Sequence, residues 1–422
     1  MPTRMGSFKT LTSLESPITV QYDSFGPSMP DMERKQSDPP PNFTRLVLVL
    51  AFLVAIDLDV VRIFWRNLNY DLTGYLIPWY RFVVEHGRFK ALGLNFSDYA
   101  PPYLYLLSIG TLADRLGFDP MTIIRGIAVA GNAAAGVPVM WFARACGWSR
   151  ERAILATLIF IALPEMIVNS LVWGQCDAIY TLFLMAFVYF VINKRGMVAA
   201  MVLGVAFAFK LQTVFIGPFV LYLLLVRVLL WRELLLVPLT YLLLMVPAAL
   251  AGRGWGDLAT IYLRQASEFK ELSLNAPNPY LIIQRILPGS FAIGMRVGLV
   301  LAVIVALALV ATFVRHGRES SPERLVLLAT ISLAVMPYVL PKMHDRYFFP
   351  ASAMAFLLAV ARPRAWPIVA LIQTADLCAY TRFLLNSSLS WIHHGFLLMT
   401  FAIGLLIWLF LDKDGDVYFF RL

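Results

Sequence analysis

A chain of 422 residues that is 59% hydrophobic and 14% charged, with a mean hydropathy of +0.72, is not a soluble globular domain, which carries about 25% charged residues. Apolar stretches approaching ~20 residues recur along its whole length, the pattern of a polytopic helical membrane protein. The net charge of +9 resides mostly in short loops between apolar segments, so it reads as positive-inside patterning rather than a nucleic-acid patch.

Residues 1–42 are rich in Ser, Pro and charge and lack an apolar segment, so a disordered cytoplasmic tail is expected there rather than a signal peptide. Candidate spans follow at roughly 45–64, 121–143, 152–172, 177–192, 197–209, 211–226, 233–251, 291–314, 325–341, 348–361, 366–384 and 396–411. The fold class is therefore an all-α polytopic transmembrane bundle of about 11–13 spans, one domain over 43–412, with a short cytoplasmic tail at 413–422. Placing the basic loops, such as RACGWSRER (144–152) and NKRG (193–196), in the cytoplasm makes the spans alternate. The exception is YLYLLSIGTLADRL (103–116), which is too short to cross and is expected to be re-entrant or part of a bent hairpin. Two long loops, about 65–101 and 252–290, then face the outside.

Ionisable and amide groups in so apolar a chain mark functional sites by default, and here they collect on the outer side. The first outer loop begins WRNLNYDLTGY. In the GYLIPWYRFVVEHGRF that follows, Tyr75, Trp79, Phe82 and Val83 fall at helical spacing, an amphipathic helix lying in the interface. Asp71 either caps that helix at Leu72 or is a functional acid held near the headgroups. Asp98, in SDYAPPYLYLL, carries the same two readings. WGQCD (173–177) sets Trp173, Gln175 and Asp177 around a glycine at a turn between apolar helices. Asp177 is a cap or a site residue, and Cys176 is a small buried filler. Lys210, in FAFKLQTVF, either snorkels to the interface or meets a phosphate. MHDRYFFP (343–350) packs His344, Asp345, Arg346 and Tyr347 at a helix junction. There Arg346 suits forked phosphate binding and His344 a hydrogen bond or a proton. No His/Cys spacing suggests zinc, and no nucleophile elbow, phosphate-cradling loop or dinucleotide fingerprint occurs.

DLTGY (71–75), SDYAPPYLYLL (97–107), WGQCD (173–177), FKLQ (209–212), LNAPN (274–278) and MHDRYFFP (343–350) together resemble the motifs of GT-C glycosyltransferases. They are most similar to those of bacterial mannosyltransferases related to the second GPI mannosyltransferase (the PIG-V type) and of polyprenol-phosphate-mannose-dependent enzymes. The likeness runs from residue 45 to about 360 with the motifs in order. The chain departs from it in reading DYAPPYLY for the commoner DYPPGYLY, and HDRY for HERY. The resemblance implies inverting transfer of a sugar, mannose by analogy, from a polyprenyl-phosphate carrier to an acceptor hydroxyl of a lipid or glycan. It implies that Asp71 is the general base and that Lys210, His344 and Arg346 bind the donor phosphate. Asp98, Tyr99, Trp173, Gln175, Asp177, Asn275, Asn278, Asp345 and Tyr347 would form the sugar and acceptor pocket. No cofactor is required, a divalent metal is left open, and no nucleic acid is expected as a partner. The expected location is a bacterial plasma membrane with the site facing outward, or an endoplasmic-reticulum membrane with it facing the lumen. The competing readings are a lipid-linked sugar flippase, disfavoured by the absence of a repeat, and a non-catalytic subunit of a membrane glycosylation complex.

Overall fold

The computed structural model describes residues 41–64, 68–267, 269–316, 321–385 and 389–412. Most of the expected N-terminal tail (1–40) and all of the C-terminal one (413–422) lie outside the described residues. Within them the chain is an all-α polytopic bundle. Several helices open as their sequences dictate, with a capping Asp or Ser followed by Pro or a charged residue. Asp119 accepts from Thr122 N at 3.1 Å ahead of Pro120, and Ser321 accepts from Arg324 N at 3.3 Å ahead of Pro322.

Six described helices are long and apolar enough to span a membrane: Pro120–Ala145, Trp231–Leu250, Phe291–His316, Pro322–Val339, Pro363–Leu385 and Trp391–Leu411. A seventh span is formed if Arg150–Ile161 and Pro164–Trp173, bent by 55° at the break before Pro164, count as one. The helices Asp177–Ile192, Gly196–Phe209, Leu211–Leu225 and Phe349–Ala361 are apolar but shorter. At ~1.5 Å per residue the 16 residues of Asp177–Ile192 reach about 24 Å, less than a ~30 Å hydrocarbon core. The expected 11–13 spans thus exceed what helix length alone supports. Pro247 sits inside a continuous helix. Residues 101–116 form a ten-residue helix, Pro101–Gly110, and a 3-10 turn, Thr111–Leu116, too short to cross unaided.

Pro322–Val339 and Phe349–Ala361 bury nearly every side chain and form the centre of the bundle, as helices that are apolar all round must. Phe291–His316 is peripheral, with Val297, Val300 and Val303 about 60% exposed. Gly204 lets its helix approach Leu236–Leu250, since a Cβ there would lie 2.7 Å from Val237 O. The last two polar runs, 272–279 and 342–347, are joined by a small parallel sheet. Strand β1 (Ser273–Leu274) pairs with β2 (Met343–His344), Ser273 opposite Met343 and Leu274 opposite His344.

Candidate active site

The first loop is anchored by a residue that sequence reasoning passed over. Asn69 Oδ1 accepts from Leu72 N at 3.0 Å, and its Nδ2 donates to Trp173 O at 3.3 Å. Asn69 is therefore the cap, and Asp71, one residue into the helix, makes no capping bond. The Asp71 side chain instead meets the WGQCD turn. Its Oδ2 accepts from Trp173 Nε1 at 2.9 Å and from Gln175 Nε2 at 2.7 Å, and lies 3.5 Å from Arg346 Nη1. None of these three partners takes Oδ1.

The turn that supplies those donors follows from local sequence. A π-helical segment, Val168–Trp173, ends at Gly174, whose φ of 78° is left-handed and open to glycine. The reversal brings Gln175 back under Asn169, which accepts from Gln175 N at 3.0 Å. Tyr99 OH donates to Gln175 Oε1 at 2.9 Å, fixing which end of the amide faces Asp71. Trp173 is wholly buried, stacked on Phe383 at 4.8 Å and edge-on to Tyr380 at 5.1 Å.

Asp177 likewise does not cap. Its Oδ1 pairs with Lys210 Nζ at 2.5 Å, and its Oδ2 accepts from Asn169 Nδ2 at 3.0 Å and lies 3.6 Å from Arg346 Nε. Lys210 is 6% exposed. It sits beside the rings of Tyr99 and Tyr180 at 5.3 and 5.8 Å. It is a buried ion-pair partner behind the wall of the site, not a snorkelling side chain. Arg346 lies over the Trp173 ring at 5.4 Å, with Asp71, Asp177 and Asp345 around it.

These groups border a cavity of about 600 Å³. Asp71, Tyr99, Gln175, His344, Asp345 and Arg346 line its polar part. Tyr70, Tyr75 and Trp79 add a run of rings 5.7 and 5.8 Å apart that continues to Tyr99 at 5.1 Å. Leu211, Val214, Phe215, Met295 and Leu299 give the cavity an apolar part. Tyr347 is on the wall as well, near the ring of His344 at 5.0 Å. Asn275, in the left-handed region at φ 61° that Asn tolerates, bridges His344 across the small sheet. Asp98 reaches the cavity and caps no helix; burial raises its carboxyl pKa against the opposing pull of Arg264. Burial and the nearby cations Arg346, Lys210 and Lys342 hold His344 well below the usual imidazole value, so it acts as a neutral ring. Cys176 is buried, as expected of a filler.

Asn278 is not brought to the cavity. Its Nδ2 donates to Pro337 O at 3.2 Å and Leu340 O at 3.3 Å, tying its loop to the end of a central helix. A second polar cluster lies wholly inside the bundle. Tyr380 OH donates to Glu165 Oε1 at 3.0 Å, and Gln373 Nε2 to Glu165 Oε2 at 3.0 Å and Ser352 Oγ at 2.6 Å. It fastens the segment preceding Trp173 to the helix that stacks on Trp173. Among the described residues no three His, Cys, Asp or Glu side chains are grouped so as to hold a metal ion.

A carboxylate held by two neutral donors and a guanidinium, beside a cavity that is polar in one part and apolar in another, is suited to taking a proton from a bound hydroxyl. Residues 96–341 match the model of glycosyltransferase family 87, more than half of the 422 residues. The chain therefore belongs to that family and is a multi-pass membrane glycosyltransferase of the GT-C type. No curated protein matches it.

Proposed function

We propose, from that membership and the surroundings of Asp71, that the chain moves a sugar from a polyprenyl-phosphate carrier to a lipid or glycan hydroxyl on the outer face of the membrane, inverting the anomeric centre. The observation that carries this reading is the one-sided hold on Asp71. Trp173, Gln175 and Arg346 all engage Oδ2, which orients the carboxylate and leaves Oδ1 for the acceptor hydroxyl. As that oxygen attacks the anomeric carbon, Asp71 takes its proton. The bond from sugar to phosphate oxygen breaks, and the phosphate leaves with one further negative charge. Arg346 meets that charge where it develops, and the neutral ring of His344 offers a hydrogen bond. Lys210 acts at a distance, neutralising Asp177 so that Arg346 is not wholly claimed by two acids.

The apolar part of the cavity supports a lipid-linked donor. Val214 and Leu299 line it while remaining 48% and 47% exposed, and Leu299 belongs to the peripheral helix Phe291–His316. An isoprenoid chain lying there leaves its phosphate beside Arg346. The rings from Tyr70 to Tyr99 give flat apolar faces on which the C–H side of a sugar packs. Motif kinship with polyprenol-phosphate-mannose enzymes makes mannose the first sugar to try.

The test is transfer by purified protein in proteoliposomes, with radiolabelled polyprenyl-phosphate mannose and a total lipid extract as acceptor. A labelled nucleotide sugar serves as the control donor. A new labelled product from the lipid donor alone is expected. Transfer from the nucleotide sugar, or from neither donor, overturns the proposal and returns the flippase and non-catalytic readings.

A further inference from the structure

The reaction just described leaves Asp345, a buried acid on the cavity wall, without a task. Asp345 is 2% exposed, and its Oδ1 has no hydrogen-bond partner among the described residues. Arg346 Nη1 stands 4.0 Å from that oxygen, beyond hydrogen-bonding reach. A buried carboxylate with one oxygen unpartnered is costly to ionise, and the backbone hydrogen bond it takes from Arg346 offsets only part of that cost.

The charges around the cavity lead to the same place independently. Arg346, Lys210 and Lys342 stand at the cavity with four carboxylates, Asp71, Asp98, Asp177 and Asp345, while His344 stays neutral. With all four acids ionised this cluster is net negative and repels a phosphate. One proton makes it balanced. Of these acids Asp345 alone is buried with a carboxyl oxygen that has no hydrogen-bond partner among the described residues, so the proton belongs there.

We propose that Asp345 carries a proton when the donor binds, and that this neutral acid donates a hydrogen bond to a phosphate oxygen of the lipid-linked sugar. The inference rests on the phosphate-donor reading of the site and assigns Asp345 a catalytic role in it. No proton is transferred: the bond strengthens as the phosphate gains charge in the transition state, and Asp345 keeps its hydrogen throughout. The groups facing it are Arg346 in its own turn, Asp71 from the first loop, Asp177 from the helix Asp177–Ile192, and Asp376 and Tyr380 from the helix Trp366–Leu385. Burial, with Asp71 and Asp177 adding to it and Arg346 opposing, pushes the Asp345 pKa up to about 8. Below that pH the donor is present; as pH rises through it the proton leaves, and the cavity turns negative.

The test is the KM for polyprenyl-phosphate mannose between pH 6.5 and 9.5 in wild type, Asp345→Asn and Asp345→Ala. Asn supplies an N–H that never ionises. Wild-type KM should rise about tenfold per pH unit above about 8. Asp345→Asn should keep its KM within about threefold at pH 7 and show no alkaline rise, and Asp345→Ala should raise KM at every pH. An Asn variant that folds but loses donor binding at pH 7, or keeps the wild-type rise, overturns the proposal. Wild type alone gives a second measurement: polyprenyl monophosphate binding, followed by intrinsic tryptophan fluorescence, should weaken above about pH 8. Binding that stays flat to pH 9.5 overturns the role of Asp345 while sparing the donor reading. No binding at any pH overturns both.

Discussion

Replacing Asp71 by Asn isolates the proposed base from the structure that holds it. Asn has the shape of Asp, and turning its amide oxygen to the position of Oδ2 retains acceptance from Trp173 Nε1 and Gln175 Nε2, now 2.9 and 2.7 Å away. The helix loses no cap, because Asn69 provides it. Arg346 loses one neighbour at 3.5 Å but keeps Asp177 at 3.6 Å. What disappears is the capacity to accept the acceptor's proton. General-base catalysis contributes ~10²–10⁴-fold, which at ~1.36 kcal/mol per decade is about 2.7–5.5 kcal/mol of barrier. Asp71→Asn should therefore lower kcat by ~10²-fold or more, with donor KM changed by less than about threefold, since the base makes no ground-state bond to the donor. Initial rates of lipid-dependent sugar transfer, read beside a thermal melt in the same detergent, provide the assay. Equal rates for the two proteins, with equal melts, refute the assignment. A variant that melts far lower refutes the argument that Asp71 is structurally dispensable.

Three further expectations follow from the same geometry. Gln175→Leu removes a hydrogen bond to a charged group, worth ~1.5–3 kcal/mol. It should cut kcat/KM by roughly 10- to 150-fold in the transfer assay while binding of polyprenyl monophosphate persists. Lys210→Met leaves Asp177 buried without its cation, a loss of ~3–5 kcal/mol, so its melting temperature should fall well below wild type. The double variant Lys210→Met/Asp177→Leu should recover much of that stability. A snorkelling lysine would have shown less than ~1 kcal/mol and no recovery. Asn69→Ala should cost ~1 kcal/mol in a melt, the scale of a lost cap, and should lower kcat by freeing the first loop. Unchanged stability would return the cap to Asp71.

The helical framework was legible because hydropathy and proline placement act locally. Pro120 and Pro322 start helices where the apolar runs begin, and the bend before Pro164 falls between two apolar segments. That most of these polar runs gather around one cavity was legible too, since a polar residue in an apolar chain needs a reason to be there. What the local pattern hid was each residue's partner. Asp71, Asp98 and Asp177 all sit at helix starts, where capping is the commonest use of an acid, yet none of them caps; Asn69, beside one of them, does. Asn278 belonged to a motif that points at the cavity, but its amide is spent on the carbonyls of Pro337 and Leu340. The bonds from Gln373 and Tyr380 to Glu165 span more than 200 residues. Nothing in the apolar run around Glu165 signals them. The pairing of 273–274 with 343–344 is short, parallel and far apart in sequence, so no alternation of side chains could announce it.

The geometry of Arg346 reconciles a site so rich in acids with the anionic donor proposed for it. Its guanidinium lies 3.5, 3.6 and 4.0 Å from Asp71, Asp177 and Asp345. All three distances exceed the 2.7–2.9 Å of a charge-assisted hydrogen bond, and Nε has no hydrogen-bond partner among the described residues. The carboxylates therefore hold the charge in place by Coulomb attraction without spending its five N–H donors. Both near acids are otherwise occupied, Asp71 by Trp173 and Gln175 and Asp177 by Lys210 and Asn169. A phosphate arriving in the cavity can then take a forked pair of bonds from Arg346 without first breaking one. Trp173 joins the two halves of the reaction: its ring lies under the guanidinium and its Nε1 donates to Asp71. The proposed base and the proposed phosphate-binding charge thus rest on one side chain, clamped between Phe383 and Tyr380. A shift of that indole moves both together, which preserves the spacing between attacking oxygen and leaving group on which an in-line displacement depends.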